Sequence, residues 1–231
     1  MANILDGNSC NGKSFHSFAP DMIATDNTTR IRQKAHEMML RYGIRNVSMD
    51  DIAGALGISK KTIYQHFSDK DELVLDVISN SLEHKQACCL KDSQLAKDAI
   101  HEVFLAIQQM QEMMESMNPV VIHDLERFHP KAFSAFLKHK HEFIYSNLVA
   151  NLKRGIEEEL YRPEIDIEIL VRARLEIMML AFNQDVFPKN KFRLIDVEMQ
   201  LTDHFLYGIA TPKGVKLIQR YKQERLKTKQ S

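Results

Sequence analysis

From Thr28 onward the apolar positions recur at three- and four-residue intervals, the spacing of one face of an α-helix, and no segment shows sustained strand alternation. A first helix is expected over roughly 28–42, with Ile31, Ala35, Met38, Met39 and Tyr42 facing inward and Gly43 as the stop. Ser48 with Asp51 has capping-box spacing and opens a second helix with Ile52, Ala53 and Leu56 inside, closed by Gly57. Ser59 caps a third helix of about seven residues. Ser68 with Asp71 predicts another capping box, opening a fourth helix that continues towards Cys88. Further amphipathic helices follow over roughly 94–117, 119–127, 130–159 and 166–183, then one carrying Leu194, Val197, Leu201, Phe205 and Ile209. Thr211 and Pro212 supply an N-cap and a first-turn proline for a last, basic helix. Residues 1–26 show no period and read as a flexible arm that Phe15 and Phe18 have the means to dock.

The short third helix is the most informative element. Ile63 and Phe67 share one of its faces, while Lys61, Thr62, Tyr64 and Gln65 point away from the core and Lys60 and His66 lie at the margins. The tight turn "LGIS" joins it to the second helix, which is the signature of a helix-turn-helix. In that motif the second helix enters the DNA major groove with its leading side chains at base edges. Lys60 and Lys61 suit phosphates or guanine acceptors, Thr62 offers a hydroxyl and a methyl, and Tyr64 and His66 suit phosphate oxygens. Ser68 and Lys70 open a helix whose first amides also favour a phosphate. A solvated lysine pair beside ordinary helix-end packing is the competing reading of those side chains taken singly.

Residues 31–74, "IRQKAHEMMLRYGIRNVSMDDIAGALGISKKTIYQHFSDKDELV", resemble the DNA-binding domain of the TetR family of bacterial transcriptional repressors. The resemblance implies DNA contacts from Ser48, Lys60, Lys61, Thr62, Tyr64, Gln65 and His66 and a phosphate contact from Lys70. One departure stands out: where the family often has a threonine or a basic residue at the start of helix two, this chain has Met49, Asp50 and Asp51. The implied fold is all-α, an N-terminal three-helix helix-turn-helix DNA-binding domain (27–72) plus a C-terminal helical ligand-binding and dimerisation domain (73–231). The implied function is a transcriptional regulator, a repressor released from double-stranded operator DNA by a small molecule.

The phrases "DLERFHPKAFSAF", "GIEEELYRPEIDIEIL" and "HFLYGIATPKG" are similar to those of regulators in that family and imply a homodimer built on the helices near 166–183 and 193–210. The run "IMMLAF" (177–182) is apolar all round, so a second covered side is expected. Ile177, Met178, Leu180, Ala181, Leu201 and Phe205 are the expected interface. For a small apolar or amphipathic ligand, the expected wall comprises Phe104, Met110, Met114, Phe133, Phe136 and Phe182, with polar contacts from His101 and His123. Methionines at helical spacing serve equally as core filler, and each histidine as a structural one.

Charge narrows the picture little: 31 basic and 31 acidic residues cancel, so any attraction for nucleic acid must come from local clustering. Three cysteines, Cys10, Cys88 and Cys89, form no disulfide framework and suit a reducing cytosol, and the longest apolar run is far too short to span a bilayer. A cytoplasmic location without membrane contact is therefore expected. His84 and Cys88 have helical ligand spacing, with Asp92 four further on, but no second His/Cys pair supports them, so neither a metal nor a cofactor is expected. No phosphate loop, nucleophile elbow or paired carboxylates argue for an enzyme. The different-class alternative is a ligand-binding helical module, or a metal-responsive sensor, with a vestigial helix-turn-helix.

Overall fold

The computed structural model describes residues 26–228, so the expectation of a flexible arm over 1–26 lies outside the described residues except for Asp26. Eleven helices and one widened turn account for the elements described, and no strand occurs among them; Tyr161 and Ala210 form an isolated antiparallel bridge. Helix α1 is Asn27–Tyr42, α2 Met49–Leu56 and α3 Lys60–Tyr64. Ile31, Ala35 and Met39 of α1 are buried, whereas Tyr42, expected inside, is 49% exposed at the helix end. Ser48 and Asp51 close the expected capping box on α2. Gly57 ends α2 in the left-handed conformation (φ 66°), which glycine adopts without steric cost.

Helix α4 is Lys70–Leu95, and its cap sits one residue later than expected. Asp69, not Ser68, accepts from the Glu72 amide (2.8 Å), while the longer Glu72 side chain reaches back to the Ser68 amide at 2.6 Å. Asp71 turns instead to His129 Nδ1, 2.6 Å away. The helix expected from residue 94 is split: α4 runs to Leu95, and Asp98 then caps α5, Ala99–Ser116, by accepting from the His101 amide at 2.8 Å. A cap at Asp98 that satisfies a first-turn amide of α5 stabilises a fresh helix start and so breaks the continuous pattern.

Helices α6 (Val120–Phe128) and α7 (Pro130–His139) follow. The expected long helix beyond Pro130 is present with an interruption: a π-helical turn over Lys140–Ile144 separates α7 from α8, Tyr145–Glu157. Helices α9 (Ile167–Leu180), α10 (Leu194–Ile209) and α11 (Pro212–Thr228) complete the chain, the last entered through the Thr211 hydroxyl, which accepts from the Gly214 amide at 3.2 Å.

Three apolar clusters hold these helices together. The first joins α1–α4 and takes in Val121, Leu125 and Ala132 from α6 and α7. The second gathers α5, α8, α9, α10 and α11 around Val171, Leu206 and Ile218. The third, around Met114, Ala181, Leu194 and Val197, lies at the far end of α5. No linker stands at the expected domain limit after residue 72; the chain passes it inside α4, and the first cluster extends to Val77.

Between the second and third clusters lies a buried polar knot. The Arg174 guanidinium donates to Glu198 (2.5 Å) and to Thr202 (2.6 Å), and stands 5.7 Å from the Phe205 ring centre. Burial pushes the Glu198 carboxyl up, and the adjacent guanidinium opposes that rise.

Candidate nucleic-acid interface

Helix α3 has five residues where about seven were expected, so Gln65, His66 and Phe67 follow it in a turn; Ile63 within it is 0% and Phe67 beyond it 3% exposed, both inside the first cluster. Burying two such side chains contributes on the order of 3–6 kcal/mol and fixes the rotation of a helix too short to be stable alone. That rotation sends Lys60, Lys61, Tyr64 and Gln65 outward as exposed residues. Tyr64, 45% exposed, is not the helix-end packing residue of the competing reading. Thr62 is half-buried, its hydroxyl 2.8 Å from that of the cap Ser59.

The margins of this surface are tied to neighbouring elements. His66 Nδ1 stands 2.9 Å from the Thr28 hydroxyl, so the end of α3 is pinned to the first turn of α1. Thr28 also hydrogen-bonds Asp26 and thereby holds that carboxyl below its ordinary range. Lys60 Nζ donates to Asp50 of α2 at 2.7 Å, and this bond raises the ammonium's pKa. Ser48 donates its hydroxyl proton to Asp51 at 2.6 Å. Lys70 donates to the Ile44 carbonyl at 2.8 Å, and partial burial lowers its pKa. Ser48 and Lys70, both expected at phosphates, thus hold contacts within their own chain. Sequence patterning does not reveal Thr28 and Asp50; their partners lie 38 and 10 residues away, and neither separation leaves a periodic trace.

A second group of contacts fastens this unit to α6 and the turn before it. The Arg45 amide donates to Asp124 of α6 (2.9 Å), the Asn118 amide donates to the Leu40 carbonyl (2.7 Å), and the Arg45 guanidinium stands over the Phe128 ring at 5.2 Å.

The expected ligand wall is not brought together. Phe133 packs on the first cluster and stacks with Phe136 at 6.2 Å, Phe104 belongs to the second, and Met110, Met114 and Phe182 belong to the third. The wall fails because α5 is long enough to cross two clusters, so residues on one face of it end in separate cores. His101 stacks on Tyr221 at 5.1 Å, and the side chain of His123 is 68% exposed. Two open clefts are present: one of about 280 Å³ between Arg41, Met114, Met117, Phe192 and Leu194, and one of about 360 Å³ bordered by Phe187, Phe192, Val197 and Leu201.

Of the expected interface residues, Leu180 is exposed, Ile177, Met178, Leu201 and Phe205 are half-buried, and Ala181 is 2% exposed. Ala181 is a correction: α9 ends at Leu180, and the turn after it folds Ala181 into the third cluster, out of reach of any partner. Ile169 (64% exposed) and Tyr207 (40%) extend the outer apolar surface of α9 and α10 beyond the residues expected. His84 Nε2 lies 3.8 Å from Cys88 Sγ, while Asp92 is engaged by Gln109. No helix is long and apolar enough to cross a membrane among the described residues.

Residues 31–77 match the family model described as bacterial regulatory proteins, tetR family. An HTH-type transcriptional regulator of Staphylococcus aureus (strain USA300) is 42% identical over 60 residues, which cover 26% of this chain and 32% of the relative. The chain thus spans about a third of the length of the curated relatives it matches. Among solved structures, a TetR-family regulator from Agrobacterium tumefaciens gives a TM-score of 0.67 at 16% identity, covering 80% of this chain and 97% of that one. The ketosteroid transcriptional regulator KstR2 of Mycobacterium tuberculosis gives 0.59 at 21% identity, covering 82% and 97%. A transcriptional regulator from Saccharomonospora viridis, solved in complex with choline, gives 0.63 at 18%, covering 80% and 98%. At these identities the structural likeness speaks for the fold.

Proposed function

We propose that this chain, whose residues 31–77 match the model for tetR-family bacterial regulatory proteins, is a homodimeric, cytoplasmic transcriptional repressor that binds operator DNA through α2 and α3 and is released by a small molecule held in its C-terminal helices. The observation that carries the DNA-binding part is the division of α3 and the turn after it: Ile63 and Phe67 are docked while Lys61, Tyr64 and Gln65 are exposed. A short helix docked on one flank and open on the other suits presentation of its leading side chains to base edges. The direct DNA contacts are assigned to Lys61, Thr62, Tyr64, Gln65 and His66; Lys60, expected among them, is left out because Asp50 holds its ammonium.

Dimerisation is supported by the outer surface of α9 and α10. Ile169, Ala173, Ile177 and Leu180 recur along one side of α9, and Tyr207 stands exposed on α10. A second copy packed there forms a four-helix bundle and sets two α3 helices on half-sites one or more duplex turns apart. For an amphipathic ligand, the 280 Å³ cleft, where Met114, Met117 and Phe192 stand beside Arg41, Glu115 and Arg193, replaces the wall read from the sequence. It also touches Arg41 of α1, so an occupant there has different contacts when α1 shifts, which is the condition for releasing DNA.

The test is fluorescence anisotropy on random duplex and genomic fragments across a salt series. The expected outcome is a steep log–log salt dependence that Lys61→Ala lowers by about one unit while the urea midpoint stays unchanged. Salt-independent or absent binding would leave a ligand-binding helical module as the better description.

A further inference from the structure

The departure at the start of α2 has a structural counterpart. Asp51 is consumed locally, its carboxylate accepting from the Ser48 amide (2.8 Å) and hydroxyl (2.6 Å). Asp50 has no such duty. It is exposed, and its carboxylate reaches across ten residues to hold Lys60 Nζ at 2.7 Å. Lys60 is the first residue of α3, where a cation would otherwise be the leading phosphate contact. We propose that Asp50 is a specificity-determining residue that sequesters Lys60 from the DNA backbone, lowering affinity for duplex of any sequence and leaving recognition to Lys61, Thr62, Tyr64 and Gln65.

The physical case rests on what each state of Lys60 gives. A phosphate contact releases a condensed counterion and strengthens binding to every sequence alike. Held by Asp50, the same ammonium is partly compensated, and a phosphate reached by its remaining protons has to share it with the carboxylate. The Asp50 charge also stays beside the first residue of α3, where it repels an incoming backbone. Both effects subtract from the sequence-independent part of binding. Asp50 and Asp51 balance Lys60 and Lys61, so the α2–α3 unit presents no net charge from its aspartates and lysines. Tight non-specific adhesion is thereby suppressed at its source.

This inference rests on the DNA-binding reading, and the experiment separates the two. Full-length wild type, Asp50→Asn, Asp50→Ser, Lys60→Met and Asp50→Asn/Lys60→Met are titrated against a random-sequence duplex pool over a salt series, with urea midpoints confirming folding. Asp50→Asn and Asp50→Ser should each bind the pool several-fold more tightly and steepen the log K against log salt slope by about 0.9. Lys60→Met alone should change little, and adding it to Asp50→Asn should abolish the steeper slope. An unchanged or weaker Asp50→Asn, a Lys60→Met that by itself lowers the slope by a full unit, or a steeper slope that persists in the double variant would overturn the proposal while DNA binding stands. Wild type that shows no salt-sensitive binding at all would overturn both.

Discussion

Replacing Gly43 by alanine tests how the recognition unit is bolted to the helices behind it. Gly43 has φ 89° and ψ 149°, a conformation close to glycine-only, which costs an L-residue about 1–3 kcal/mol. A Cβ there would also meet Val120 Cγ1 at 2.8 Å and Asp124 Oδ2 at 3.2 Å. Asp124 is the acceptor for the Arg45 amide, so displacing it strains a contact that joins α6 to the α1–α2 loop. Overpacking of this kind adds about 1–3 kcal/mol. Gly57→Ala is the internal control: its φ is also positive, 66°, but nothing lies within 4 Å of the added methyl, leaving only the backbone cost of about 1 kcal/mol. Urea denaturation at one fixed protomer concentration should therefore show Gly43→Ala destabilised by about 3 kcal/mol and Gly57→Ala by about 1. Equal losses in the two variants would mean that Val120 and Asp124 yield freely, and the picture of a rigid joint would be wrong.

Acid should weaken the fold through His36, which burial depresses to about 4 with the Lys85 charge adding to the effect. The unfolded chain takes up that proton near its ordinary value and the folded chain only near 4, so stability is full above about pH 6.5 and falls by about 3 kcal/mol as pH drops to 4. His36→Leu should flatten that stretch of the urea-midpoint profile, and an unaltered profile would refute the assignment. Arg174→Met leaves Glu198 buried without its cation and should cost about 3–5 kcal/mol by urea melt, most of it recovered in Arg174→Met/Glu198→Leu. Lys70→Ala should lower stability by about 1 kcal/mol through loss of the Ile44 contact; a drop in the salt slope of about 0.9 as well would show that its remaining protons reach a phosphate.

What the sequence displayed well is what local rules govern. The capping box at Ser48, the stop at Gly57 and the Ile63/Phe67 pair all depend on separations of four residues or fewer, so the helix-turn-helix is legible without the fold. Contacts that depend on long separations are not. Asp69 displaces Ser68 as the cap of α4 because two adjacent polar residues offer equivalent spacings, and only the reach of Glu72 distinguishes them. The ligand wall fails for a related reason: periodicity identifies which residues of α5 face inward but not which cluster receives them, and Phe104 and Met114 go to different ones. Ala181 looks like interface for want of a signal that α9 stops at Leu180, three residues before its expected end.

The widened turn at Lys140–Ile144 takes up a residue more than a regular α-helical turn would. On its upstream side Ala132 and Phe133 answer to the cluster beneath the recognition unit; downstream, Leu148 and Leu152 answer to the bundle. A uniform rod would have to present both stripes in a single phase. The surplus residue works as a vernier, letting one rod mesh with two sets of teeth cut at different offsets, so that trimming the chain there by one position would put half the rod out of step.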